Sequence, residues 1–291
     1  MTATEYAMPT AFTKMHACGN DFVVIDDRAG HFFGRESALA RRLCHRHLAL
    51  GADGLLLLRG DRAEGHFEMV FVNADGLIGE MCGNGARCLA AFIRRAGLAT
   101  EGLTLQTPAG SVAVRFAGAG FHGTNNIVLD LPPAGPIRSD IAIRWQERDW
   151  RFDAIDIGVP HAVWFAADRA ALEQAPVEAL GRHVRHHRIF APRGCNINFA
   201  ALEDGRLYLR TYERGVEAET LGCGTGATAA ALLAQHRFGL HAPVEVVTSS
   251  GESLLIHWEP RSGLLQLAGG AHFVADGSLD ASLLTGLGPD A

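Results

Sequence analysis

The stretch that decides the fold is Cys82-Gly83-Asn84-Gly85-Ala86, because it recurs as Cys223-Gly224-Thr225-Gly226-Ala227 at an offset of 141 residues (223 − 82). Three further pairs of segments recur in the same order at nearly the same offset. They are residues 19–24 with 158–163, 53–57 with 195–199, and 107–110 with 248–251. Four pairs in one order, at offsets within three residues of one another, predict a duplicated domain of about 140 residues.

The segments after the two cysteine turns are unusually poor in polar side chains. Residues 86–91 and 227–234 are small or apolar on nearly every helical face. A helix without a polar face must be buried on all sides. We therefore expect an α+β fold of two pseudo-symmetric duplicated domains, each a mixed, β-barrel-like sheet wrapped around a central buried helix. The expected domains are residues 9–126 plus 269–291, carrying Cys82, and residues 127–268, carrying Cys223.

The order of predicted elements is the same in both halves. Each half has a β-rich start, a helix, two strands, the cysteine turn and a second helix. The predicted helices are 36–50, ended by Gly51, and 86–95 in the first half, and 179–187 and 227–237 in the second. The predicted strands are 22–25, 55–58 and 67–72, and then 162–165, 197–200 and 207–212.

Composition excludes several classes of protein. The chain has 291 residues, 48% of them hydrophobic and 20% charged, which is typical of a soluble globular protein. Lys plus Arg is 26 against 32 Asp plus Glu, a net charge of −6. This mildly acidic balance, without a basic run, predicts neither nucleic-acid nor membrane binding. The sequence also has no apolar stretch near the roughly 20 residues of a bilayer span and no leader-like start, so we expect a cytoplasmic protein.

Three residue counts bear on the chemistry. Six cysteines, scattered along a chain of this length, predict reduced thiols rather than a disulfide framework. Lys14 is the only lysine, so Schiff-base chemistry with pyridoxal phosphate would depend on that residue alone. Histidines number 14, but no paired spacing typical of a metal site occurs among them, and we expect no metal.

A cysteine at a helix N-terminus suits proton transfer. The first backbone N–H groups of a helix have no intrahelical partner, and the macrodipole is positive there, so a thiol at this point has a lowered pKa. Neighbouring glycines let an anion approach the amides. If the two halves face each other, one carboxylate held by both turns would lie between two sulfurs. A thiolate and a thiol could then remove a proton from one face of a carbon and return one to the other. The alternative is that both cysteines are merely small buried residues.

Longer motifs surround these cysteines, and together they resemble the diaminopimelate epimerase family. They are Lys14-Met15-His16-Ala17-Cys18-Gly19-Asn20-Asp21-Phe22, Asn73-Ala74-Asp75-Gly76, Met81 to Cys88, Glu213-Arg214-Gly215-Val216 and Glu219 to Gly226. The resemblance runs from about residue 12 to about residue 277. Proline and hydroxyproline racemases are similar around the cysteines, but they usually have histidine where Asn84 stands and lack the run at 213–216.

The resemblance implies a cofactor-independent isomerase that converts L,L-diaminopimelate to meso-diaminopimelate, in the biosynthesis of lysine and peptidoglycan precursors. It also implies a homodimer that uses neither pyridoxal phosphate nor a metal. By motif position, Cys82 and Cys223 are the acid/base pair, and His161 and Glu213 assist them. The positions that match substrate-binding residues are Asn20, Asn73, Gly83, Asn84, Asn196, Arg214, Gly224 and Thr225.

Two departures from the family pattern leave the substrate open. Val159 stands where asparagine is common, and Gly54 stands where glutamine is common. Each removes one polar contact. The alternatives are a racemase of the same family that acts on another amino acid, and a non-catalytic amino-acid-binding homologue.

Overall fold

The computed structural model describes residues 10–60, 66–79, 81–117 and 126–288. The chain divides into two compact units. Unit 1 comprises residues 1–129 and 270–291, and unit 2 comprises residues 130–269. Each unit carries one of the two cysteine turns.

Unit 1 consists of strands with two helices. The helices are α1 (Glu36–Leu43) and α2 (Gly83–Arg95). The strands are β1 (Ala11–Ala17), β2 (Asn20–Asp26), β3 (Gly54–Arg59), β4 (His66–Asn73), β5 (Ile78–Gly79), β6 (Gly102–Thr107), β7 (Gly110–Phe116), β8 (Ile127–Asp130), whose last residue belongs to unit 2, and, near the end of the chain, β18 (His272–Ser278).

Unit 2 repeats this plan. Its helices are α3 (Arg169–Glu173), α4 (Val177–Arg185) and α5 (Gly224–Phe238). Its strands are β9 (Arg138–Trp145), β10 (Arg148–Asp156), β11 (Pro160–Phe165), β12 (Asn196–Glu203), β13 (Arg206–Glu213), β14 (Ala218–Thr220), β15 (Val244–Val247), β16 (Ser253–Glu259) and β17 (Leu264–Gly269).

The strands of the two units pair in the same sequence of directions. In unit 1, β1 pairs antiparallel with β2, β2 parallel with β3, β3 antiparallel with β4, and β4 parallel with β6. In unit 2, the corresponding pairs are β10 with β11, β11 with β12, β12 with β13, and β13 with β15, in the same directions. The predicted α+β fold of two duplicated, pseudo-symmetric domains is confirmed.

Each unit wraps its sheet around the helix that follows the cysteine turn. Helix α5 contacts β10, β11, β12, β13, β15 and β16, and residues 226–234 are all buried. Helix α2 contacts β1 to β4, and residues 84–91 are buried. Alanine and glycine make this possible, because small side chains let strands approach a helix from several directions. The predicted central helices are confirmed.

Helices α1 and α4 cover the other face of their sheets. In unit 1, Leu39 and Leu43 of α1 pack with Leu55 and Leu57 of β3, whereas Leu56 of β3 lies against α2. Successive side chains of a strand point to opposite faces. The run of leucines in β3 is therefore buried because helices cover both of its faces. Among the helices of the described ranges, none combines the length and apolar character that a membrane crossing needs.

The predicted helix 36–50 is wrong in its second half, since α1 ends at Leu43. The carbonyls of Leu43 and Cys44 accept hydrogen bonds from the amides of Gly51 and Ala52, at 3.0 and 3.2 Å, instead of continuing the helical ladder. The side chain of His45 also accepts the amides of residues 47 and 48. These turn contacts replace the helix. Helix α4 begins two residues earlier than predicted and ends at Arg185.

Candidate active site

Cys82 and Cys223 are the N-cap residues of α2 and α5. The Sγ atom of Cys82 accepts a hydrogen bond from the amide of Gly85 at 3.4 Å, and Cys223 Sγ accepts from Gly226 at 3.4 Å. Both cysteines have extended backbone angles, as an N-cap requires. In each helix the ladder begins with an amide donating to the cysteine carbonyl. The thiols therefore lie at the positive ends of two buried helices.

The two turns differ in what lies around them. Cys223 is buried, with 7% of its surface exposed, whereas Cys82 is partly exposed. Five residues after Cys82 stands Arg87, and five after Cys223 stands Thr228; both side chains donate to the carbonyl of the first glycine of their turn. Arg87 has no exposed surface and also donates to the carbonyl of Gly270. The first turn thus has a buried cation where the second has a neutral hydroxyl.

In unit 1 the structure brings Asn20 to the thiol of Cys82. Cys82 Sγ donates to Asn20 Oδ1 at 3.6 Å, and Asn20 Nδ2 donates to Asp53 Oδ2 at 3.0 Å. Asp53 is held in turn by Arg46, whose Nη2 lies 2.7 Å from Asp53 Oδ1. Because the Asp53 carboxylate can only accept, it turns the amide oxygen of Asn20 toward the sulfur.

The other predicted residues of unit 1 lie at the ends of the same elements. Asn73 ends β4, and its Nδ2 donates to the carbonyl of Leu77 at 3.1 Å. Asn84 is in the first turn of α2, where its Oδ1 accepts from Arg87 Nη2 at 2.8 Å. Gly83 is the first residue of α2.

In unit 2 the structure joins Asn196 to Arg214. The backbone amide of Arg214 donates to Asn196 Oδ1 at 2.7 Å, and Arg214 Nη1 donates to the carbonyl of Arg193 at 3.4 Å. Glu213 ends β13, and its Oε1 accepts from the hydroxyl of Thr220 at 2.5 Å. The hydroxyl of Thr225 lies 3.4 Å from Cys223 Sγ, and Gly224 begins α5.

His161 lies in β11 and is buried, with 1% of its surface exposed. Its Nδ1 lies 3.1 Å from Asn198 Nδ2. Burial is the main cause that lowers the pKa of His161 to about 3, and the positive charge of Arg214 adds to the effect. The imidazole is therefore neutral at neutral pH.

The two departures from the family pattern have structural counterparts. A Cβ on Gly54 would lie 2.7 Å from the Phe71 ring, so the aromatic side chain fills the space that a longer residue at 54 would need. Val159 lies in the three-residue loop between β10 and β11, where the amide of Ile157 donates to its carbonyl at 3.0 Å. Gly158 has a φ of 82° in that loop, a value that favours glycine.

Other cysteines lie in the core. Burial raises the pKa of Cys44 and of Cys195 to about 12, so neither thiol ionises at neutral pH. Cys88, in the middle of α2, is fully buried.

The predicted residues thus form two groups, one in each unit. The structure also shows residues that the sequence analysis missed: Asp53, which orients Asn20; Arg87, at the first turn of α2; and Asn198 with Thr211, beside His161. A polar residue at an inward position of a buried strand was the available signal for Asn198, which follows Asn196 by two residues in β12.

Comparison with known proteins identifies the family. A sequence model described as diaminopimelate epimerase matches residues 12–126 and 153–274. A diaminopimelate epimerase of Hydrogenobaculum sp. (strain Y04AAS1) is 38% identical over 255 residues, which cover 84% of this chain and 90% of the relative. A diaminopimelate epimerase of Aquifex aeolicus (strain VF5) is 37% identical over 285 residues, covering 94% and 99%.

A solved structure shares the fold at low sequence identity. The Bacillus anthracis phenazine biosynthesis protein of the PhzF family superimposes with a TM-score of 0.73 at 14% identity, covering 94% of this chain and 99% of that one. A duplicated α+β fold with this family match defines an isomerase. The chain belongs to the diaminopimelate epimerase family.

Proposed function

We propose that the protein epimerises L,L-diaminopimelate to meso-diaminopimelate without a cofactor, by a two-base mechanism of one thiolate and one thiol. The observation that carries the proposal is the pair of N-cap cysteines, each accepting the amide three residues on at the start of a buried helix. Membership in the diaminopimelate epimerase family supports the choice of substrate.

Cys82 and Cys223 are the proposed acid/base pair. In each direction the thiolate of one removes the α-proton, and the thiol of the other delivers a proton to the opposite face of the carbon. The α-carboxylate gains negative charge as the proton leaves. The amides of Gly83, Asn84, Gly224 and Thr225, at the starts of α2 and α5, are proposed to hold it, since helix N-termini stabilise anions.

The remaining predicted residues bind and assist. Asn20, Asn73 and Asn196 offer amide donors and acceptors to the ammonium and carboxylate groups of the substrate. Arg214 suits the distal carboxylate, because its guanidinium can form two parallel hydrogen bonds. Its backbone amide is held by Asn196, which ties the two residues together. His161 and Glu213 are proposed to assist the thiols.

We further propose that the enzyme is a cytoplasmic homodimer that supplies lysine and peptidoglycan precursors. The family resemblance supports this setting. Size-exclusion chromatography with light scattering tests the oligomeric state.

A second candidate is racemisation of another amino acid by the same two thiols. Gly54 and Val159 favour it, because both lack the polar side chains that are common at these positions and Phe71 fills the space beside Gly54.

The test is incubation of purified protein with L,L-diaminopimelate in deuterium oxide, without added cofactor. The proposal predicts meso-diaminopimelate by chiral chromatography, with deuterium at one α-carbon by mass spectrometry. A parallel panel of basic, aromatic and cyclic amino acids tests the second candidate. Deuterium in one of these amino acids and none in diaminopimelate would identify that amino acid as the substrate instead. Deuterium in no amino acid would indicate a non-catalytic amino-acid-binding protein.

A further inference from the structure

The His161 ring is part of a hydrogen-bonded chain inside unit 2. His161 Nδ1 lies 3.1 Å from Asn198 Nδ2, and Asn198 Oδ1 accepts from the hydroxyl of Thr211 at 3.0 Å. Asn198 has no exposed surface, and Thr211 has 2%. Water therefore does not compete for these contacts.

The orientation of the Asn198 amide is fixed by chemistry. The backbone carbonyl of Ala162 lies 3.2 Å from Asn198 Nδ2. A carbonyl can only accept, so the atom that faces it must be the amide nitrogen. The same nitrogen faces His161 Nδ1, and it has no lone pair to offer the ring. His161 Nδ1 must therefore be the unprotonated acceptor, and the single proton of the neutral ring must be on Nε2.

His161 Nε2 has no hydrogen-bond partner within the described residues, although it is buried. Leaving a buried N–H without a partner destabilises a protein, so such groups are uncommon unless a ligand uses them. The depressed pKa of His161 agrees with a ring that stays neutral and keeps one N–H to donate.

This chain lies against the helix that carries Cys223. A Cβ built on Gly226 would be 2.4 Å from Asn198 Oδ1 and 3.4 Å from Cys223 Sγ. The Asn198 side chain is thus packed on the first turn of α5, and it connects that turn to the His161 ring.

We infer that Asn198 is a positioning residue that holds His161 as a neutral hydrogen-bond donor at Nε2, so that His161 stabilises an anion formed during the reaction rather than accepting a proton from Cys223. The expected changes in kcat rest on the proposed function, whereas the tautomer of His161 does not. The anion is the enolate-like intermediate or the thiolate, both of which accept an N–H hydrogen bond.

The first test reads the tautomer directly. Protein labelled with ¹⁵N-histidine is examined by long-range ¹H–¹⁵N correlation at pH 7, and the His161 signals are assigned by their loss in His161→Gln. We expect a protonated Nε2 and an unprotonated Nδ1. A protonated Nδ1, or a doubly protonated ring, would overturn the inference. This readout does not depend on activity, so it stands or falls separately from the epimerase proposal.

The second test separates positioning from packing. Asn198→Leu removes the donor to Nδ1, whereas Thr211→Val removes a buried hydrogen bond of the same network and leaves the Asn198 amide in place. We expect Asn198→Leu to lose the preference for the Nε2–H tautomer and to lower kcat at least tenfold. Thr211→Val should keep the Nε2–H tautomer and a kcat within about threefold of the wild-type value. Equal losses in the two variants, or an unchanged tautomer in Asn198→Leu, would show a merely structural role.

The third test distinguishes a donor from a base. Glutamine at 161 can place an N–H near the position of Nε2 but cannot accept a proton, and leucine can do neither. A donor role predicts that His161→Gln keeps at least tenfold more activity than His161→Leu. Equal loss in both variants would support a base and contradict the inference. If wild-type protein turns over no amino acid at all, the proposed function fails, and the tautomer result alone decides the role of Asn198.

Discussion

Each cysteine of the proposed pair is placed by the same local device and then given different neighbours. Cys82 meets the amide oxygen of Asn20, whereas Cys223 meets the hydroxyl of Thr225. The two turns share the same backbone arrangement, but different side chains contact the two thiols.

The two cysteines give the first prediction. Cys82→Ala and Cys223→Ala should each lower kcat at least a thousandfold, because each face of the carbon needs its own proton carrier and a general acid or base contributes about 10²–10⁴. Cys88→Ala is the matched control, since Cys88 is a buried cysteine in the same helix as Cys82. Steady-state epimerisation rates check this. Near-normal turnover in either variant of the pair would contradict the two-base mechanism.

Asp53 gives the second prediction. Without its carboxylate the Asn20 amide is free to rotate and present its N–H₂ group to Cys82, and Arg46 loses a partner. Asp53→Ala should therefore lower kcat/KM about tenfold, which corresponds to about 1.4 kcal/mol. Asp26→Ala is the control. Asp26 lies at the opposite end of β2 from Asn20 and pairs with the exposed Arg28. Equal kinetics for the two variants would show that Asp53 does not orient Asn20.

At the scale of elements, the sequence predicted the parts that repeat and missed those set by distant contacts. The central helices, the order of elements along the chain and the cysteine turns follow from small residues, alternation and duplication. The end of α1 at Leu43 does not, because the amides of Gly51 and Ala52 cap it from a turn that local propensity does not encode. Asp53 and Asn198 were missed for the same reason: their partners are defined only after strands pair.

The third prediction compares the equivalent glycines at the starts of α2 and α5. A Cβ on Gly226 would lie 2.4 Å from Asn198 Oδ1, a buried atom fixed by hydrogen bonds, whereas a Cβ on Gly85 would meet the rotatable Leu56 Cδ2 at 3.1 Å. Gly226→Ala should destabilise the protein by about 3 kcal/mol, and Gly85→Ala by about 1 kcal/mol or less. Thermal unfolding of both variants measures this. A larger effect at Gly85 would contradict the packing described for Asn198.

For the whole molecule, duplication means that the proposed two-base mechanism needs both units of the chain. Each unit has its own paired strands, central helix and N-cap cysteine, so each would supply one of the two proposed proton carriers. The sequence located both cysteine turns because they are the most strongly repeated segment.

The buried His161 predicts a pH dependence of stability. Its pKa is about 3 in the folded protein and about 6.5 in the unfolded chain, so the unfolded chain binds a proton first as pH falls. The stabilisation is complete above pH 6.5 and is lost as pH falls from 6.5 toward 3. Between pH 7.5 and pH 5 this amounts to about 2 kcal/mol.

Urea unfolding of wild type and His161→Gln at both pH values measures this loss. All four tryptophans lie between residues 145 and 258, so their fluorescence reports on unit 2, which holds His161. The variant should lose about 2 kcal/mol less than wild type between the two pH values. An equal loss in both proteins would mean that His161 titrates normally.

The central claim is that two separate thiols act on opposite faces of one carbon. The most direct measurement is the position of deuterium early in the conversion of L,L-diaminopimelate in deuterium oxide, before the reverse reaction contributes. We predict that the meso product carries one α-deuterium and that the remaining substrate carries none, because the thiol that removes the proton is not the one that delivers the deuteron. Deuterium in the recovered substrate, or unlabelled meso product, would show a single shared base and contradict the account.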